Sequence, residues 1–253
     1  MSDGPVAFTD HFAGVAADYA KFRPRYPPAL FDFLAGVAPD HDLAWDCGTG
    51  TGIAAIPLAE RFGAVVATDA SAAQLEQAAP HPRITYRTLR EAESGLPPHA
   101  ASLVTVAQAA HWFDLEAFHR EVDRVLKPGG VVALWCYGVM GIDAGIDQVL
   151  HRFEHDRVGS FWPAERRHVD AEYRTLPFPW RRIKTPRFVM EATLSRAALI
   201  GYLGSWSAVS RCRTATGIDP LAGLDAEMAP LWPGGESRLV SWPLTVVAGR
   251  NGP

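Results

Sequence analysis

Apolar and polar positions change places along this chain in two rhythms. Between residues 40 and 140, short apolar runs rich in Val, Ala and Leu alternate with stretches whose apolar positions recur every three or four residues. The first rhythm predicts strands and the second helices. A helix is expected over 29–37, with Pro28 near its first turn. A strand from Leu43 runs into glycines, followed by a helix over 53–62, a strand over 64–68, a helix over 71–79 and a strand over 84–88. Pro97 and Pro98 mark a turn before a strand over 103–107. The helix expected over 115–126 carries apolar residues at 115, 118, 122, 125 and 126, and Lys127-Pro128-Gly129-Gly130 stops it before a strand over 131–137.

Strands alternating with helices imply a parallel, doubly wound sheet, in which ligands sit outside the carboxyl ends of the strands. Beyond Gly138 the alternation stops. Residues 141–158 are expected to be helical, while 165–180 mix Arg, His, Pro and aromatics and read as an inserted lid or substrate segment. A strand over 182–191, helices over 195–207 and 221–231, and a last strand over 238–249 complete the chain, the two late strands forming an antiparallel edge. The expected fold class is therefore α/β, a Rossmann-like doubly wound sheet, mostly parallel with an antiparallel edge, plus a C-terminal inserted lid or subdomain. Its expected divisions are a cap segment and helix (1–40), a cofactor-binding core (41–137), the lid insertion (138–181) and the C-terminal strands and helices (182–253).

Composition narrows this picture without redirecting it. At 253 residues the chain is long enough for one sizeable α/β domain. A net charge of −4 gives no electrostatic case for nucleic acid or an anionic membrane as partner. No run of 18 apolar residues occurs and the start, Met1-Ser2-Asp3-Gly4-Pro5, lacks a basic-then-apolar leader, so a cytoplasmic protein is expected. Cys47, Cys136 and Cys212 are widely spaced, without a CxxC pair, and read as buried hydrophobes. The expected partner is a small molecule; the pattern does not set the oligomeric state.

The chemistry concentrates at Asp46-Cys47-Gly48-Thr49-Gly50-Thr51-Gly52. Glycines at alternate positions after a strand make a turn that a nucleotide-like cofactor can approach closely. Asp46 would repel a dinucleotide pyrophosphate but suits a cationic methionyl group, as in S-adenosylmethionine. Asp69 ends the second strand, 21 residues after Gly48, near the spacing of roughly 20 at which an acid accepts from ribose hydroxyls. Alone, Asp69 reads equally well as the N-cap of the helix that follows.

These residues resemble the class I S-adenosylmethionine-dependent methyltransferases, in particular the small-molecule branch similar to trans-aconitate and cantharidin methyltransferases. The resemblance rests on the glycine run, on Asp69, on Glu91-Ala92-Glu93-Ser94-Gly95-Leu96-Pro97, on Gln108-Ala109-Ala110-His111-Trp112-Phe113-Asp114 and on Arg124 to Gly130. Tyr19 to Pro27 and Tyr202 to Ser207 look like that branch too. The resemblance implies that Gly48, Gly50 and Gly52 wrap the methionyl chain, with Asp46 beneath its amino end. It implies further that Asp69 and the adjoining Ala70 meet the ribose, Glu91 and Ala92 the adenine, and that Gln108 lies by the methionyl end.

The expected reaction is methyl transfer to a small acceptor, at a carboxylate or hydroxyl oxygen. A non-catalytic binder of the same cofactor and a nicotinamide-dependent oxidoreductase are the alternatives. His111 is the candidate general base, or else a packing residue beside the cofactor; Trp112 closes over the substrate or is a core aromatic. Tyr19 and Arg23 are candidates for the cofactor and Arg25 for a substrate carboxylate, the other reading being a solvated cationic cluster. Arg166, Arg167, His168, Arg181 and Arg182 either recognise an acidic substrate or are surface charge. His151 and His155 have a metal-compatible spacing without a third ligand, and no metal is expected.

Overall fold

The computed structural model describes residues 24–252. Five strands, β1 (Leu43–Cys47), β2 (Ala64–Asp69), β3 (Ile84–Thr88), β4 (Ala101–Ala107) and β5 (Leu126–Tyr137), pair in parallel. Of the remaining three, β6 (Arg181–Ile183), β7 (Phe188–Leu194) and β8 (Arg238–Arg250), β8 runs against β5 and receives β6 and β7 antiparallel. The order is β3-β2-β1-β4-β5-β8-β6, with β7 also on β8. Chain direction across the sheet reverses between β1 and β4, which places the switch point at the ends of these two strands.

Both faces are covered, which explains why the central strands read as unbroken apolar runs. Along β5, Val131, Ala133, Trp135 and Tyr137 enter one buried cluster with Phe31, Leu34 and Leu58, while Val132, Leu134 and Cys136 enter the other with Phe118, Val122 and Val125. Helix α1 (Pro28–Val37) buries Leu30, Phe31, Leu34 and Ala35 against the first face. Its neighbours in sequence are α2 (Ala55–Ala59) and α3 (Ala72–Leu75). Helix α4 (Leu115–Val125) covers the second face with Phe118, Val122 and Val125, its start capped by Asp114, whose carboxylate accepts from Ala117 N at 3.0 Å. The later helices are α5 (Ala144–Arg152), α6 (Arg166–Asp170), α7 (Arg196–Gly204), α8 (Ser207–Thr216) and α9 (Leu224–Met228).

The departures from expectation have local causes. The helix expected over 71–79 keeps its Ser71 cap on Gln74 N but shrinks to α3, in turns that lead to Pro80 and Pro82. The segment 195–207 splits because Trp206 takes an extended backbone, φ −73° and ψ 135°, so a second helix starts at Ser207. The strand expected over 182–191 divides into β6 and β7 around Pro186, which has no N–H for a ladder. The stop at Lys127 to Gly130 lies within β5, whose pairing with β4 shifts register between Ala101 and Leu103. The helix expected over 221–231 contracts to α9, entered through left-handed Gly223. No helix among the described residues is long and apolar enough to cross a membrane.

Candidate functional site

The turn after β1 is fixed by hydrogen bonds from three strands. Asp46, fully buried, accepts from Thr49 Oγ1 at 2.6 Å and from Thr105 Oγ1 of β4 at 2.7 Å. Burial pushes its carboxyl up to about 6, against the pull of the two hydroxyls and with a smaller push from Asp69. Asp69 takes Gly50 N at 2.8 Å and Ser71 N at 2.9 Å. Thr49 N reaches back to Thr68 O at 3.0 Å.

The three glycines do different work. Gly48 has φ 68°, and a Cβ there would stand 2.7 Å from that of Ala109; Gly52 has φ 80°, and its Cβ would meet the Tyr86 hydroxyl at 2.6 Å. Both positions are closed by the protein itself, so close approach by a ligand is not what excludes a side chain there. At Gly50 the nearest neighbour to a Cβ would be Gln74 Oε1, 3.7 Å away.

Glu91 follows β3 on a loop pinned to α4. Glu121 of α4 accepts from Ser94 N at 2.8 Å, from the Ser94 hydroxyl, and from Arg124 at 2.6 Å. Glu91 itself is buried and takes Asp114 N at 3.2 Å, whereas Ala92 is exposed and Ala70 half-buried. Past β4, Gln108 adopts φ 55° and its side-chain amide pairs with Tyr137 on β5, donating to O at 3.0 Å and accepting from N at 2.9 Å. Left-handed backbone at a residue with a side chain costs about 1–3 kcal/mol and collects at functional sites. Three of the four such residues among those described, Gln108, Glu172 and Tyr173, stand on this side of the molecule.

A cavity opens here, with Gln108, His111, Trp112, Trp162, Arg166 and Trp206 among the residues lining it. Arg166 stacks over Trp162, 4.4 Å from its ring centre, and pairs with Glu154 at 3.1 Å and Asp170 at 2.7 Å. The buried indole nitrogen of Trp162 has no partner among the described residues. Burial, with Arg166 and His168 adding to it, pulls the His111 imidazole down to about 3, so the ring is neutral at physiological pH. A general base works best near neutrality, so the expectation of His111 as a base meets an environment that opposes it.

Of the other expected site residues, Arg25 is exposed and is not among the residues lining the cavity; Tyr19 and Arg23 lie outside the described residues. Arg166 and His168 belong to the site region, but Arg181 and Arg182 lie on exposed β6. His151 and His155 stack ring on ring at 4.1 Å, and no group of three metal-capable side chains exists among the described residues. All three cysteines are buried and free. Sequence reasoning missed Thr49 and Thr105 as the partners of Asp46, the Glu121–Ser94 anchor, and Trp162 and Tyr173.

The cradle fits a cationic adenosyl cofactor. Thr51 Oγ1, in the turn itself, is a buried hydroxyl without a partner among the described residues. Asp46, Asp69 and Glu91 together push the neighbouring Cys47 thiol up, after burial, which records a negative field at the strand ends. That field favours a sulfonium and opposes a pyrophosphate.

Residues 45–134 match the methyltransferase-domain family. A protein of Dictyostelium discoideum described as a methyltransferase is 33% identical over 207 residues, covering 80% of this chain and 79% of its own. A malonyl-[acyl-carrier protein] O-methyltransferase of Alcanivorax borkumensis is 28% identical over 230 residues, covering 87% of this chain and 74% of its own. Among solved structures, one described as a type II methyltransferase from Anaeromyxobacter dehalogenans superposes with a TM-score of 0.85 at 44% identity, covering 90% of this chain and 98% of that one.

Proposed function

The chain belongs to the class I S-adenosylmethionine-dependent methyltransferases, and from that premise we propose that it methylates a small-molecule acceptor at oxygen, a carboxylate ahead of a hydroxyl. The observation that carries this reading is the shared end of β4. Ala109 touches the glycine turn at Gly48, while the adjoining Gln108 and His111 line the aromatic cavity. A cofactor in the cradle and an acceptor in the cavity would thus meet across one short segment.

S-adenosylmethionine supplies a methyl group already activated by its sulfonium, so the protein's task is alignment and the exclusion of water. In this reading Asp69 holds the ribose hydroxyls with Ala70 beside them, Glu91 and the Ala92 amide hold the adenine, and Gly50 offers the open stretch of the turn. Asp46 acts from below, fixing Thr49 and contributing negative charge. Gln108, locked to Tyr137, keeps the methionyl end in register with the cavity. Trp112 and the segment 138–181, through Trp162 and Arg166, enclose the acceptor.

A carboxylate needs no base, which agrees with a neutral His111. Arg166 and His111, which can donate to an oxygen anion, are among the residues lining the cavity. The likeness to an O-methyltransferase of a malonyl-bearing carrier protein supports oxygen as the acceptor atom.

The test begins with calorimetric titration by S-adenosylmethionine, S-adenosylhomocysteine and NAD. Binding of the first two at about micromolar Kd, and none by NAD, is expected. S-adenosylhomocysteine release is then measured over small carboxylic acids, phenols and amines. Turnover confined to amines would overturn the oxygen assignment, and NAD binding would overturn the cofactor placement.

A further inference from the structure

Tyr173 stands on the turn that follows α6. Glu172 and Tyr173 are both left-handed, with φ 52° and 57°. The turn closes through Glu172 N to Val169 O and Tyr173 N to His168 O, each 2.8 Å. Two consecutive side-chain-bearing residues hold that conformation only where their surroundings over-determine it. Its effect is to turn the Tyr173 ring inward, where it is 2% exposed in the cluster with Val169, Leu176 and Cys136.

A phenyl ring would satisfy that packing, so the hydroxyl needs a reason of its own. It lies 3.0 Å from Nδ1 of His111. Burial holds the phenol well above its ordinary titration range, so the hydroxyl keeps its proton. The phenol thus has a hydrogen to give, and Nδ1 is the acceptor within reach. A neutral imidazole that accepts at Nδ1 carries its proton on Nε2. His111 Nε2 has no partner among the described residues, and the ring lines the cavity.

We propose that Tyr173 is a positioning residue: its buried hydroxyl donates to Nδ1 of His111 and fixes the ring as the Nε2–H tautomer, a donor aimed at the methyl acceptor. This rests on the cavity being the acceptor site. It assigns His111 the opposite task from proton removal and restricts good acceptors to groups that arrive with a lone pair already free.

The test is long-range nitrogen–proton NMR on protein carrying isotope-labelled histidine, for wild type, Tyr173→Phe and His111→Gln, with benzoate as the probe anion and S-adenosylhomocysteine present. Wild type is expected to show His111 as a single Nε2–H tautomer whose signal moves when benzoate binds. Tyr173→Phe, which keeps the ring, is expected to mix the tautomers and weaken benzoate up to about tenfold, the value of roughly one hydrogen bond. His111→Gln keeps an N–H at the corresponding place and should make benzoate affinity indifferent to a second change at Tyr173.

An unchanged tautomer in Tyr173→Phe, or benzoate that leaves the wild-type Nε2–H signal in place, overturns the proposal. If Tyr173→Phe unfolds, an Nδ1–H tautomer in wild type does so. Failure of S-adenosylhomocysteine to bind counts against the functional reading alone, because the tautomer is read in the unliganded protein as well.

Discussion

The cofactor cradle and the acceptor cavity meet at the end of β4, yet they are built in opposite ways. The cradle is made from the ends of neighbouring strands and is held by short polar bonds, Asp46 to Thr49 and Thr105, Asp69 to Gly50. The cavity wall is aromatic and gathered from segments far apart: Trp112 after β4, Trp162 ahead of α6, and Trp206 between α7 and α8. A cofactor common to a whole family calls for a fixed backbone shape, which glycines and satisfied carboxylates deliver. An acceptor particular to one enzyme calls for shape, which stacked rings deliver.

That contrast can be broken by substitution. The largest effect is expected from Gly48→Val, where a branched side chain would enter a left-handed position whose Cβ already falls 2.7 Å from Ala109. Loss of more than about 3 kcal/mol of stability by urea titration is expected, together with loss of cofactor binding; a variant that folds and binds normally would remove the backbone argument.

Next comes Asp46. Its folded value of about 6 exceeds the ordinary 3.8, so the folded state holds the proton more tightly than the unfolded chain. Stability from this group is present below pH ~4 and falls as pH rises to ~6, by roughly 3 kcal/mol. Asp46→Asn should flatten that window and exceed wild type above it; equal slopes in urea titrations across pH would refute the assignment.

Asp69→Ala should weaken both S-adenosyl ligands by about 2–3 kcal/mol, the worth of hydrogen bonds to a charged group, as read by calorimetry. The smallest effects sharpen the comparison from the cavity side. Trp162→Phe is expected to leave cofactor affinity alone and raise acceptor KM through the loss of aromatic contact worth about 1 kcal/mol. His111→Ala should cost about tenfold in kcat/KM if the ring donates, against roughly 100-fold or more if it were a base.

How far each region was legible follows from how it is made. The glycine run and Asp69 announce themselves because their bonds close within one βαβ unit, and the five-strand core follows from apolar runs buried on both faces. The hold on Asp46 was hidden because one of its partners, Thr105, lies 59 residues away. Ser94 lies within the stretch from Glu91 to Pro97, yet its anchor to Glu121 depends on α4 lying across the sheet. Trp162 and Tyr173 carried no periodic signal: one is placed by stacking with Arg166, the other by two left-handed residues, and neither leaves a trace in hydropathy. The shrinkage of α3 reflects a cap that starts a helix in a segment with too little apolar face to extend it.

Strand β8 bears on how the molecule is made in time. Its thirteen residues pair with β5 on one side and with β6 and β7 on the other, and Arg250 at its end bonds to Gly129 O at 2.8 Å and Val37 O at 2.9 Å. Until those residues leave the ribosome, β5 presents an open apolar edge of the kind that pairs with other chains. The nascent chain therefore carries its cofactor cradle early and its protection against aggregation late, and synthesis interrupted before Arg238 is expected to yield a sticky intermediate.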